Sequence, residues 1–160
     1  VYFRKSCNEG GDVYTETARY TYAQDGLCRA QMRKNYMDGR VKEKTESSRT
    51  AVYDMVSVMG YARAMNTSGM KEGQHIDFRL VDAAEILDEC LIYQGKETVK
   101  LSGKKYNCLV FKLVEPYMEK GKNKFRDILT IYITDDNARK IVQMDIKFKL
   151  GSSKAKLIEN

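Results

Sequence analysis

One histidine is all that the sequence offers for imidazole chemistry, so any Ser-His-Asp or Cys-His mechanism would have to be built on His75. Its spacing implies no partner residue, and His75 reads as an exposed histidine at the start of a strand. The four cysteines, Cys7, Cys28, Cys90 and Cys108, show no CxxC or related spacing, which argues against a structural zinc site. No apolar run approaches the roughly 18 residues needed to cross a bilayer, so no transmembrane span is expected. Val1 to Gly11 has neither the basic start nor the apolar stretch of a signal peptide. Glu9-Gly10-Gly11 has too few glycines, and no helix after it, for a phosphate cradle; it reads as a strand entry. Proline occurs once, at Pro116. There is no Pro- or Gly-rich linker, no low-complexity tract and no repeat of about 20 to 50 residues, which excludes solenoids.

What is present points to sheet. The 160 residues are 42% hydrophobic, enough for a single domain over residues 1–160 with its own core. Tyr14, Glu16, Ala18, Tyr20 and Tyr22 alternate with Val13, Thr15, Thr17, Arg19 and Thr21, the period-two pattern of a strand with one buried face. Asp25-Gly26 and Asp38-Gly39 favour tight turns on either side of a strand from Leu27 to Met37, which predicts three antiparallel strands ending near Glu46. Val52, Met55, Val56, Met59 and Ala62 fall at helical spacing and predict one helix over residues 51–65, with Thr50 as its N-cap and Gly60 weakening it by about 1 kcal/mol. Strands are then predicted over 74–81, 84–93, 97–101, 104–115, 124–134, 139–150 and 154–158. Gln94-Gly95-Lys96, Ser102-Gly103, Asp135-Asp136-Asn137 and Gly151-Ser152 are the expected turns, and Pro116 the end of a strand. The fold class is mainly β, an antiparallel meander with one helix.

Charge is uneven along the chain. Of the net +6, residues 1–95 carry −1 and residues 96–160 carry +7. Lys147, Lys149, Lys154 and Lys156 alternate around Gly151-Ser152, so a hairpin brings them onto one exposed face as a candidate binding stripe for an anionic lipid or glycan. The structural alternative is a solvated face that protects an exposed strand from edge-to-edge association. Phe148 alternates to the other face, so no aromatic platform accompanies the lysines and nucleic acid is disfavoured. Cys90 and Cys108 are a candidate disulfide if their strands are neighbours, with two buried thiols as the alternative. Asp135-Asp136-Asn137 lacks the spaced carboxylates of a calcium loop and reads as a turn, so no metal is expected. Met55, Val56 and Met59 are either core or one wall of an apolar groove. An enzymatic reading would have to pair Asp127 with Glu115 or Asp145 across neighbouring strands.

The order of short segments resembles a bacterial family catalogued as domain of unknown function 3108. The segments are Tyr2-Phe3-Arg4-Lys5, Glu9-Gly10-Gly11, Tyr53-Asp54-Met55-Val56-Ser57, Tyr93-Gln94-Gly95-Lys96-Glu97, the strand from Leu129 to Asp136, and Phe148-Lys149-Leu150-Gly151-Ser152. The resemblance implies an exported envelope protein, commonly of Gram-negative bacteria such as the Bacteroidetes, periplasmic or outer-membrane-associated. It also implies a strongly curved, half-barrel-like antiparallel sheet of YmcC-like fold. Family members usually have a signal peptide and further early strands, so the chain is expected to be part of a longer precursor. Tyr132 stands where the family often has tryptophan. The resemblance transfers no catalytic residue and no cofactor. The expectation is therefore a non-enzymatic domain that binds or scaffolds a lipid, a polysaccharide or an envelope protein. A carboxylate-dependent hydrolase or transferase and a purely structural interaction module are the rivals.

Overall fold

Residues 2–9, 11–148 and 151–158 are described in a computed structural model, with the side chains at 9, 12 and 148 outside that description. The elements in order are β1 (Tyr2–Glu9), β2 (Asp12–Tyr22), β3 (Cys28–Tyr36), β4 (Val41–Ser48), β5 (Val52–Tyr53), α1 (Met55–Ala64), β6 (His75–Asp82), β7 (Glu85–Leu101), β8 (Lys104–Glu119), β9 (Lys122–Thr134), β10 (Ile141–Phe148) and β11 (Gly151–Lys156). They form a four-stranded sheet in the order β1-β2-β3-β4 and a seven-stranded sheet in the order β11-β10-β9-β8-β7-β6-β5. The protein is mainly β. It is not one continuous antiparallel meander, however, because two sheets form and β5 runs parallel to β6, with Val52 opposite Arg79 and Tyr53 opposite Leu80. The chain divides into two compact units, residues 1–57 with 78–87 and residues 58–77 with 88–160.

In the first unit, four strands form where three were expected. β1, over residues for which no strand was predicted, pairs with β2 from Tyr2↔Arg19 to Glu9↔Asp12. Along β2 and β3 the alternation does what one-sided burial requires. Tyr14, Glu16, Ala18, Tyr20, Cys28, Ala30 and Met32 are buried, and the intervening residues are exposed or half-buried. Ala18 and Ala30 are small, which lets Val52, Val81 and Ala84 pack on this face together with Phe3 and Ile86. Residues 78–87 of this unit hold the β6–β7 turn, in which Ala83 and Ala84 both have positive φ, +51° and +59°. Asp54 is the N-cap of α1. Its Oδ1 accepts from the N–H groups of Val56 and Ser57 at 3.0 and 2.8 Å, and its own N–H donates to Ser57 Oγ at 2.8 Å. The predicted cap, Thr50, instead closes a local turn through Ser48 Oγ, and the chain between them is the short strand β5.

The second unit is built on the long strands β7, β8 and β9. Leu91, Leu109, Phe111, Leu113, Ile131, Ile133 and Val142 are almost fully buried there. Truncating a phenylalanine as buried as Phe111 to alanine costs about 3–5 kcal/mol. Two predicted breaks are absent. Gln94-Gly95-Lys96 is a bulge inside β7, where the register shifts between Tyr93 and Lys96. Pro116 lies within β8, opposite Phe125, beyond the point where the β7–β8 register ends at Cys90↔Val114, so its missing N–H deprives no ladder bond on that side. The β8–β9 turn falls at Lys120-Gly121, both with positive φ. In β11, Gly151 and Ser152 are paired with Phe148 and Lys147 rather than turning.

Candidate functional site

Directly paired residues in an antiparallel sheet share a face, and the outer face of the four-stranded sheet collects arginine. One row across the strands is Tyr2, Arg19, Gln31 and Thr45, the next is Arg4, Thr17, Arg33 and Glu43, and a third, on the other side of the first, is Thr21, Arg29 and Ser47. Arg4, Arg19, Arg29 and Arg33 are all exposed. Arg33 is committed: it pairs with Glu43, the only acid in these rows, and its Nε donates to Asn35 Oδ1 at 2.8 Å. The guanidinium groups of Arg4, Arg19 and Arg29 make no hydrogen bond or ion pair among the described residues. Tyr2, Thr17, Arg19, Gln31, Arg33 and Thr45 line a shallow open depression of about 440 Å³. A guanidinium carries a planar fork of donors that matches carboxylate, sulfate and phosphate oxygens, so this face presents three uncommitted oxyanion receptors.

The inner face of the same sheet uses its charges differently. Glu16 is fully buried on β2; its Oε1 accepts from the Ala84 N–H at 2.7 Å and its Oε2 lies 3.1 Å from Lys5 Nζ. Lys5 also bonds Asp82. Burial works against the Lys5 charge, but the Asp82 and Glu16 carboxylates outweigh it and hold the ammonium above its ordinary range. Lys42 Nζ reaches the Ala83 carbonyl at 3.1 Å and Glu85 at 2.9 Å. Each of these groups is occupied by the 82–85 turn. The cluster is a clamp on backbone, not a general base waiting for substrate.

Lys147, Lys154 and Lys156 are exposed, and Lys149 lies outside the described residues. Lys154 pairs in register with Asp145 and Lys156 with Gln143, which places Asp145 in the middle of the lysine face. Asp145 accepts from Gln143 Nε2 at 2.9 Å, lies 3.6 Å from Lys154 Nζ, and is 3.4 Å from the Tyr132 hydroxyl. Burial and the Asp145 charge push the Tyr132 phenol up. One acid thus takes charge out of the centre of the stripe. Cys90 and Cys108 are free thiols. Cys90 stands opposite Val114 and Cys108 opposite Glu97, so seven residues of β7, roughly 20 Å, separate their levels along the ladder, against the 7 Å or so that a bridge tolerates. The candidate disulfide gives way to the alternative of two buried thiols.

His75 is exposed, its ring edge-on to Phe125 with centroids 5.1 Å apart. Asp136 Oδ1 accepts from Thr134 Oγ1 at 2.7 Å and from the Ala138 and Arg139 N–H groups, and these bonds, Thr134 foremost, lower its carboxyl. Asp135 pairs with Lys96 at 2.6 Å. Glu115 pairs across the ladder with Arg126 and Asp127 with Val114, so the two carboxylates face opposite sides of β8–β9. Among the described residues no three His, Cys, Asp or Glu side chains converge as metal ligands. Leu101, Tyr106, Leu157 and Ile158, with Lys104 and Lys140, line an open groove of about 820 Å³ in the second unit.

The arginine face leaves no mark on the net charge along the chain, because Glu16, Glu46 and other acids of the inner face cancel it. Alternation within β2 and β3 places Arg19 and Arg29 each between buried residues and Arg33 next to buried Met32, but only the strand pairing brings them together with Arg4. No curated protein and no solved structure matches the chain. The family described as Protein of unknown function (DUF3108) matches residues 1–158, nearly the whole length, and the chain belongs to that family.

Proposed function

We propose that this chain is a non-enzymatic binding domain of an exported cell-envelope protein, and that the outer face of its four-stranded sheet holds an anionic ligand. The observation that carries the reading is the set of three exposed guanidinium groups, Arg4, Arg19 and Arg29, with no partner among the described residues, in rows whose single acid is already paired. Charge-assisted hydrogen bonds to an oxyanion are about twice as strong as neutral ones, and an exposed cationic face also speeds encounter with a polyanion. The envelope location rests on the segment order described under Sequence analysis. Lys147, Lys154 and Lys156 are the rival surface, weakened by Asp145.

Retention on immobilised heparin, used as a generic polyanion, tests the assignment. The wild-type protein is expected to bind at low salt and Arg4→Ser/Arg19→Ser/Arg29→Ser to elute at much lower salt, with Lys147→Ser/Lys154→Ser/Lys156→Ser close to wild type. If the lysine variant loses retention and the arginine variant keeps it, the site is the lysine face and the reading fails.

The groove with Lys104 and Lys140 at its polar side supports a second reading, an amphiphile with one apolar chain and an anionic head. Binding of a fluorescent fatty acid to wild type and to Lys104→Glu/Lys140→Glu tests it; unchanged binding in that variant removes it.

A further inference from the structure

We infer that the ligand of the arginine face is an acidic polysaccharide, lying along the diagonal from Arg29 through Arg19 to Arg4. The inference rests on the anionic-ligand reading above and names its ligand class. Arg29 lies opposite Thr21 on β2; Arg19 is two residues further along β2 and opposite Tyr2; Arg4 is two residues beyond Tyr2 on β1. Each step crosses one strand and two residues. With strands about 4.8 Å apart and a rise of about 3.3 Å per residue, a step is roughly 8 Å and the line roughly 16 Å long. Receptors spread along a line of that length present themselves to more than one oxyanion. They match a chain that carries its negative charges at intervals.

The residues between the arginines select among polyanions. Thr17, Thr21, Gln31, Thr45 and Ser47 offer neutral donors and acceptors on the same face. Hydroxyl and amide groups both donate and accept, as do the hydroxyls of a sugar polymer, whereas a polyphosphate presents acceptors alone and leaves the accepting oxygens of this face unused. Tyr2, 58% exposed and directly paired with Arg19, sets a flat ring beside the middle receptor, where the apolar face of a sugar ring can lie. It is the only aromatic side chain in the three rows, and single-stranded nucleic acid relies on a series of such rings. Nor do these rows hold an aliphatic side chain to enter a lipid surface. The pairing of Arg33 with Glu43 keeps the β4 side of the face neutral and leaves the cationic line on β3, β2 and β1.

The test measures binding of the full chain to polygalacturonate, dextran, inorganic polyphosphate, a thymidine oligonucleotide and phosphatidylglycerol vesicles at low salt. Three proteins are compared: wild type, Arg4→Ser/Arg19→Ser/Arg29→Ser, and Tyr2→Ala/Gln31→Ala, with folding of each checked by circular dichroism. Wild type is expected to bind polygalacturonate and not dextran. The arginine variant should lose roughly tenfold or more in affinity, the scale of several lost charge contacts. Tyr2→Ala/Gln31→Ala should weaken polygalacturonate binding several-fold and leave any polyphosphate binding unchanged. If polyphosphate, oligonucleotide or vesicles bind as tightly as polygalacturonate, and Tyr2→Ala/Gln31→Ala changes nothing, the glycan inference falls while the anionic-ligand reading stands. If no probe binds, or the arginine variant binds like wild type, both fall.

Discussion

The backbone N–H of Ala84, at φ +59°, donates across 2.7 Å to a carboxylate oxygen of Glu16 that has no solvent exposure. Two-residue turns with both φ values positive favour Asn-Gly, and an L-residue held left-handed costs about 1–2 kcal/mol. Alanine is kept at 84 because its side chain is part of the buried cluster on the four-stranded sheet. The Glu16 carboxylate and Lys42 then hold a turn that its own residues disfavour. Glu16→Ala is expected to lower the unfolding free energy by about 3 kcal/mol, since it leaves the Ala84 N–H without its acceptor and Lys5 with one carboxylate fewer. Glu16→Gln, which can still accept from Ala84, should cost roughly half as much. Ala83→Gly should stabilise by about 0.5–1 kcal/mol, because position 83 is less buried and glycine relieves its strain. Urea denaturation reads all three, and a destabilised Ala83→Gly would refute the strain account.

Lys5 predicts a dependence on alkaline pH. Its folded-state pKa is raised above the usual 10.5 by Asp82 and Glu16 in spite of partial burial. A group raised on folding contributes stability that is fully present below its unfolded pKa and is lost as pH rises through the folded value. The stability difference between wild type and Lys5→Met should therefore be constant from neutral pH to about 10 and close above it. The buried Tyr20 phenol is also raised, by burial first and then by Asp54, and it destabilises both proteins alike in that range. Only the difference between the two proteins reports Lys5. A difference that persists unchanged at pH 12 would show that Lys5 acts through packing rather than charge.

How far the sequence could be read depends on whether one residue type serves one purpose. The alternation from Tyr14 to Tyr20 was legible because a face that is buried on one side only leaves a period-two record. α1 was legible as a helix, but its start was not: Thr50 and Asp54 are both good caps, and only the packing of Val52 and Tyr53 as a strand beside β6 selects Asp54. Pro116 marks a strand end in most contexts; here the β7 ladder stops two residues earlier, at Val114, and the missing N–H of the proline deprives no bond on that side. The arginine face required knowing which strands are neighbours. Alternation gives the face of Arg19 or Arg29 separately, whereas the diagonal with Arg4 exists only once β1 pairs with β2 and β2 with β3.

Gly95 shows the same ambiguity, since a positive φ suits a turn and a bulge equally. Its φ is +86°, it is buried, and a Cβ there would overlap the side chain of Glu72. Gly95→Ala is expected to lower stability by about 2 kcal/mol, of which about 1 to 2 is the left-handed backbone and the rest the displacement of a flexible side chain. A cycle with Glu72→Ala separates the two. The double variant should recover only the steric part. Full recovery would mean that the backbone of the bulge carries no strain for alanine.

The four cysteines provide a test of strand register. All are free thiols, with Cys28, Cys90 and Cys108 buried and Cys7 half-buried. Burial pushes the Cys90 thiol up to about 11 and raises that of Cys108 as well. At pH 8 a thiol with that pKa is ionised to about one part in a thousand, and the thiolate is the reactive form. Burial therefore protects these thiols even in an oxidising compartment. Unfolded without reductant, the protein should titrate four thiols with Ellman's reagent; folded, it should give one fast equivalent from Cys7 and a slow remainder limited by opening of the structure. Two missing equivalents, mapped to Cys90 and Cys108 by mass spectrometry, would require β7 and β8 to pair about seven residues out of the register that seats Phe111 opposite Tyr93, and would overturn the core packing built on it.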